Sequence, residues 1–149
     1  MDKNGEIIFI DDDSDDRQLF EEAYLELAIP NPLVVFKNGR TAYEYFNNMN
    51  KSLFLIIADI NMPAMTGIEL RDKMQQIGEM KQRAVPFLLL TNGLSPENIL
   101  YSYSHSVQGF FRKPSTYSDL KILLQSIFTY WGSSTQATFS NLPPQRETI

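Results

Sequence analysis

Cysteine is absent from the chain and histidine occurs once, at position 105. Disulfide staples, thiolate metal sites, cysteine nucleophiles and clusters of histidine ligands are therefore excluded, while an intracellular compartment is permitted. His105, without neighbouring partners of its kind, reads as a surface or helix-end residue rather than a metal ligand or phosphoacceptor. Apolar runs long enough to cross a bilayer are also missing, and the polar start from Met1 to Glu6 does not read as a secretory leader. A cytoplasmic protein without membrane attachment is expected. Positive charge is scarce: 13 Lys and Arg face 18 Asp and Glu, a net charge of −5, which argues against nucleic acid as a partner. Arg71, Lys73, Lys81 and Arg83 lie close in sequence, but acids and glutamines are interspersed, and the stretch reads as a solvated helix face.

What the chain does have is 149 residues, 43% hydrophobic and 21% charged, enough for one domain with a sizeable core and too few for two ordinary ones. From Ser133 the composition turns Ser-, Thr-, Gln- and Pro-rich. The expected organisation is a domain over residues 5–131 followed by a flexible tail over 132–149. That tail has no room for a DNA-binding or catalytic output domain, so a signal would leave by protein contact.

Four apolar runs each end in a polar residue. Ile7-Ile8-Phe9-Ile10 leads into Asp11-Asp12-Asp13, Leu53 to Ala58 into Asp59, Phe87 to Leu90 into Thr91, and Gly109-Phe110-Phe111 into Arg112-Lys113-Pro114. Segments of helical periodicity separate them, which predicts βα units and a mostly parallel sheet. Ser14 suits a helix N-cap, with Asp15 and Asp16 near the positive end of the dipole and Phe20, Ala23, Tyr24 and Leu27 on one face. Pro30 and Pro32 close that helix before a strand over Leu33 to Phe36, and Asn38-Gly39 opens a second helix. A third helix is expected from about Ile68 to Ile77, and a fourth from Ser95-Pro96-Glu97. The last carries Leu120, Leu123, Leu124, Ile127, Phe128 and Trp131 at helical spacing, with Gly132 suiting its C-terminal end. The order is (βα)₅.

In such a sheet ligands bind beyond the carboxyl ends of the strands. Carboxylates gathered there suit Mg²⁺, a hard cation that prefers oxygen ligands and is commonly held by one or two acids plus a phosphate. A carboxylate can also accept a phosphoryl group as an acyl phosphate. Asp59, a single acid after a long buried strand, is the better nucleophile, and the N-terminal acids look like a pair serving the metal. Because the run holds three acids, Asp11–Asp12 and Asp12–Asp13 are both open as that pair, with strand register favouring the former. Lys113 would supply a second cation and Thr91 a hydroxyl for a phosphoryl oxygen.

With these residues in this order, the chain closely resembles the receiver domain of two-component response regulators, of the stand-alone type, over about residues 5–131. The resemblance implies a flavodoxin-like, doubly wound α/β sandwich whose five-stranded parallel sheet has the order 2-1-3-4-5. It makes Asp11 and Asp12 the acidic metal pair and Asp59, in Asp59-Ile60-Asn61-Met62-Pro63, the phosphoacceptor and a third ligand. The backbone carbonyl of Asn61 becomes a further ligand for Mg²⁺, Thr91 the switch hydroxyl, Lys113 with Pro114 the Lys-Pro motif, and Phe110 an aromatic that changes rotamer. Phe111 reads as core. Two features depart from the family's usual pattern: the third acid, Asp13, and Asn92, where a smaller residue is usual after the threonine.

The function this implies is a phosphorylation switch, not a turnover enzyme. A histidine kinase or histidine phosphotransfer protein passes its phosphoryl group to Asp59 with Mg²⁺ bound, and the face formed by the fourth helix, fifth strand and fifth helix signals to a protein target. A monomer or weak dimer is expected. One alternative is a constitutive adaptor that binds partners without phosphorylation. Another is a Mg²⁺-dependent phosphohydrolase, but those enzymes that resemble haloacid dehalogenases carry an acid two residues after the nucleophile, where this chain has Asn61.

Overall fold

The three longest apolar strands run through the middle of the molecule. In the computed structural model, which describes residues 1–77, 84–93 and 95–134, every residue of β1 (Glu6–Ile10), β3 (Leu53–Ala58) and β4 (Phe87–Thr91) is buried. Strands covered on both faces need apolar residues at successive positions, which is why these segments read as continuous runs rather than alternating ones. β2 (Leu33–Phe36) and β5 (Gly109–Arg112) form the edges and are less covered. All neighbours pair in parallel, in the order β2-β1-β3-β4-β5, the flavodoxin-like arrangement.

Alternate side chains of each strand enter different cores. Ile8, Ile10, Ile56, Ala58 and Leu89 pack with Ala42 and Phe46 of α2 (Gly39–Asn48) and Leu70 and Met74 of α3 (Gly67–Gln75). Ile7, Phe9, Leu55, Ile57 and Leu88 meet Phe20, Ala23 and Tyr24 of α1 (Ser14–Glu26) and Leu124, Ile127 and Phe128 of α5 (Tyr117–Ser133). Each such fully buried aliphatic contributes about 1.5–3 kcal/mol relative to exposure. α4 (Pro96–Ser104) precedes β5 and begins at the expected proline. The strand order reverses between β1 and β3, whose C-terminal residues Ile10 and Ala58 are register partners. The next residues, Asp11 and Asp59, therefore emerge side by side at the crevice.

Four local expectations are corrected. The N-cap of α1 is Asp13, not Ser14: Asp13 has extended dihedrals, and its carboxylate accepts from the amides of Asp15 and Asp16 at 2.8 and 3.1 Å. α5 ends one residue beyond Gly132, at Ser133, with Ser134 as C-cap; residues 135–149, most of the expected tail, lie outside the described residues. α3 ends at Gln75, where the cap amide of Gln76 bonds back to Lys73 and Met74. Arg71 is not on a solvated face but 4% exposed, its guanidinium donating to the carbonyls of Ser106 (2.9 Å) and Val85 (3.3 Å) and lying over the Phe87 ring. Lys81 and Arg83 lie outside the described residues.

Candidate functional site

The loop after β3 has to turn sharply, and glycine permits it. The Gly67 amide donates to the Ile60 carbonyl at 3.0 Å, and a Cβ at position 67 would stand 2.3 Å from the carbonyl oxygen of Asp59. Within this turn the Asn61 amide reaches Asp59 Oδ1 at 3.3 Å, and the Asn61 side-chain amide donates to Thr91 Oγ1, also at 3.3 Å. Thr91 is wholly buried at the end of β4, where its hydroxyl also accepts from the Gly93 amide at 3.4 Å.

Asp11, fully buried, accepts from the Asp13 amide at 3.0 Å through Oδ1 and from Lys113 Nζ at 2.7 Å through Oδ2. Lys113 is set by its own backbone, whose amide donates to the Thr91 carbonyl at 2.9 Å. Its ammonium also donates to Asp16 at 2.7 Å and to Asp59 Oδ2 at 3.3 Å. Asp12 is exposed and faces a cleft of about 560 Å³ that Asp59, Asn61, Thr91, Asn92 and Lys113 also line. Asn92 thus stands on the wall of the cleft. Of the residues predicted from sequence, Asp11, Asp12, Asp59, Asn61, Thr91 and Lys113 come together at this rim.

Phe110 does not reach the cleft. It is half-buried against the α2–α3 core, while Phe111, expected in the core, is half-buried against the α1–α5 side. His105 follows α4 and pairs through Nδ1 with Asp72 of α3. Asp16 was missed as a site residue, since its place in the first turn of α1 gave it a dipole role. Helical phase could have found it: it lies four residues before Phe20, on the face that packs against the sheet.

Burial and charge oppose each other at the rim. Loss of solvation pushes the Asp11 carboxyl up to about 6, against the opposing pull of Lys113 and the Asp13 amide. Burial draws the Lys113 ammonium down, but hydrogen bonds to Asp11 and Asp16 and the charges of Asp11 and Asp59 outweigh it and leave its pKa above the ordinary lysine range. One cation thus stands among several acids. Oxygens of Asp11, Asp12 and Asp59 all lie within 4.8 Å of one another. Three converging hard donors fit a divalent cation of the Mg²⁺ or Mn²⁺ type. Asp13 caps the helix through Oδ1, and among the described residues Asp11 and Asp12 are the acids of this run whose oxygens converge with Asp59.

Residues 7–125 match the response regulator receiver domain family. The chain belongs to that family, the receiving module of two-component signalling. Among its relatives are the chemotaxis protein CheY-3 of Vibrio cholerae, 30% identical over 129 residues covering 86% of this chain and 95% of that one. The response regulator Rcp1 of Synechocystis is 25% identical over 132 residues, 84% of this chain and 87% of that one. Solved structures share the fold. A phosphorylated cyanobacterial phytochrome response regulator, RcpA, superposes with a TM-score of 0.78 at 24% identity, covering 89% of this chain and 97% of that one. The manganese-bound form of Rcp1 gives 0.76 at 23% identity with the same coverage. Receiver domains work with histidine kinases or phosphotransfer proteins and pass a signal to downstream targets. Among the described residues, no helix is long and apolar enough to cross a membrane.

Proposed function

We propose that this receiver domain, spanning residues 5–131, is a phosphorylation switch whose acceptor is Asp59. The observation that carries the reading is the meeting at one rim of three carboxylates, a largely covered ammonium 3.3 Å from Asp59, and a buried hydroxyl one side chain away. An Asp59 carboxylate oxygen attacks the phosphorus of a phosphohistidine on a kinase or phosphotransfer protein. The P–O bond forms, the P–N bond breaks, and its electron pair returns to the imidazole. Asp11, Asp12, Asp59 and the backbone carbonyl of Asn61 would hold Mg²⁺, which supplies charge neutralisation between acids and phosphoryl oxygens.

Lys113 donates to the new phosphoryl group in place of the Asp59 oxygen it now contacts. The Thr91 hydroxyl, which now accepts from Asn61 and Gly93, turns to donate to a phosphoryl oxygen. That movement frees space for Phe110 to change rotamer, biasing two populations of one fold. The output surface is the face of α4, β5 and α5, where Tyr103, Phe110 and Tyr130 line a groove of about 540 Å³ and Tyr101 of α4 and Ile122 of α5 are also exposed. The protein acts as a cytoplasmic monomer or weak dimer, and its only chemistry is on itself.

Intact mass after incubation with acetyl phosphate, with and without Mg²⁺, tests the reading. The expected result is a single phosphoryl adduct that requires both Mg²⁺ and Asp59 and is lost in Asp59→Asn. No adduct under any condition would refute it.

A further inference from the structure

A lysine ammonium has three N–H donors and no acceptor. Lys113 places them on three carboxylates: Asp11 and Asp16 at 2.7 Å and Asp59 at 3.3 Å. Two of these partners have other work under the proposed function, as metal ligand and as phosphoacceptor. Asp16 has none. It sits on α1, it is about one-third exposed, and its contact with Lys113 joins the first helix to the loop after β5 across 97 residues of chain.

The surroundings give Lys113 little choice of partner on that side. Behind the contact lies a chamber of about 100 Å³ walled by Phe9, Phe20, Leu90 and Leu120, where Asp11 and Asp16 are the only acids among the described residues. With Asp16 present, the ammonium is shared towards α1, and the shorter contacts go to Asp11 and Asp16 rather than to Asp59. When Asp59 becomes an acyl phosphate, the phosphoryl oxygens carry more charge than the carboxylate they replace, and they need that ammonium. A carboxylate that keeps hold of it opposes them twice, by occupying an N–H and by adding negative charge to an anionic site.

We propose that Asp16 is a positioning residue that competes with the phosphoryl group for Lys113, and so limits how tightly and how long the modified Asp59 is held. The inference rests on the reading of Asp59 as phosphoacceptor. Asp16→Asn keeps an oxygen that can accept from Lys113 but removes the charge. Asp16→Glu keeps the charge.

The experiment is a titration of the full chain with beryllofluoride at saturating Mg²⁺, read by the bound ¹⁹F resonance, together with decay of the acetyl phosphate-derived adduct by intact mass. It uses wild type, Asp16→Asn, Asp16→Ala and Asp16→Glu. Asp16→Asn and Asp16→Ala are expected to bind beryllofluoride about fivefold tighter and to keep the adduct several times longer, as removal of one partly screened charge allows. Asp16→Glu should stay near wild type. A role confined to the stability of α1 would not produce a gain. If wild type binds and is modified but both neutral variants bind equally or more weakly, the inference is overturned and the phosphoacceptor reading stands. If wild type neither binds nor is modified, both fall.

Discussion

Replacing Lys113 with Met removes the one ammonium among Asp11, Asp16 and Asp59 while keeping most of the apolar stem. The lysine side chain is 10% exposed, and the Asp11 and Asp59 side chains are 0% and 9% exposed. Deleting one partner of a buried ion pair costs about 3–5 kcal/mol when the other charge is left stranded. Two features of the site reduce that figure. Asp16 is one-third exposed and regains water. Asp11 is held at about 6 against the pull of Lys113 and rises further once that pull is gone, so taking up a proton at pH 7 costs it less than about 1.4 kcal/mol. A net loss of roughly 2–3 kcal/mol follows at pH 7 in EDTA, or about 6–9 °C in Tm for a domain of this size. Because the folded pKa of Asp11 lies above its unfolded value, its contribution to stability is present at low pH and is lost as pH rises through about 6. The deficit of Lys113→Met should therefore shrink at pH 5. Mg²⁺ should also restore more than half of it by supplying the missing positive charge. Differential scanning fluorimetry at pH 5 and 7, in EDTA and in 10 mM Mg²⁺, gives all four values. A variant melting within about 1 °C of wild type at pH 7 in EDTA would refute the electrostatic account of this rim.

Gly67→Ala would set a methyl 2.3 Å from the Asp59 carbonyl oxygen, and relief requires movement of the backbone that carries Asp59. A loss of about 1–3 kcal/mol is expected in urea unfolding, with slower modification of Asp59 by acetyl phosphate. Arg71→Met removes donors to the Ser106 and Val85 carbonyls and to Gln108, which in turn accepts from the Phe87 amide at 2.8 Å; about 2–4 kcal/mol should be lost, read as a lower urea midpoint with an unchanged slope. Mg²⁺ binds only ionised carboxylates, so its apparent affinity, followed by calorimetry, should be constant above about pH 7 and fall as pH drops below the Asp11 value of about 6, by up to about tenfold per unit.

The fold was legible because β1, β3 and β4 are buried on both faces, and burial of that kind writes itself as unbroken apolar runs. The parallel register then brings Asp11 and Asp59 together without further information, since Ile10 and Ala58 are partners. What stayed hidden was the work of charged residues on helices. Asp16 and Arg71 were assigned by their charge and neighbours, as dipole partner and solvated side chain. Their contacts across elements follow from helical phase, since both lie on the inward faces of α1 and α3, where a long or charged side chain must find partners. The choice between Asp13 and Ser14 as cap turned on one residue's dihedrals, which composition does not encode.

Under the proposed function Asp59, and no other acid of this crowded rim, accepts the phosphoryl group. Reductive trapping decides it: the protein is phosphorylated with acetyl phosphate and Mg²⁺, treated with borohydride, and digested, and tandem mass spectrometry locates the aspartate converted to homoserine. The account predicts homoserine at position 59 alone, and none when Mg²⁺ is withheld. Homoserine at Asp11, Asp12 or Asp16, with Asp59 intact, would contradict it.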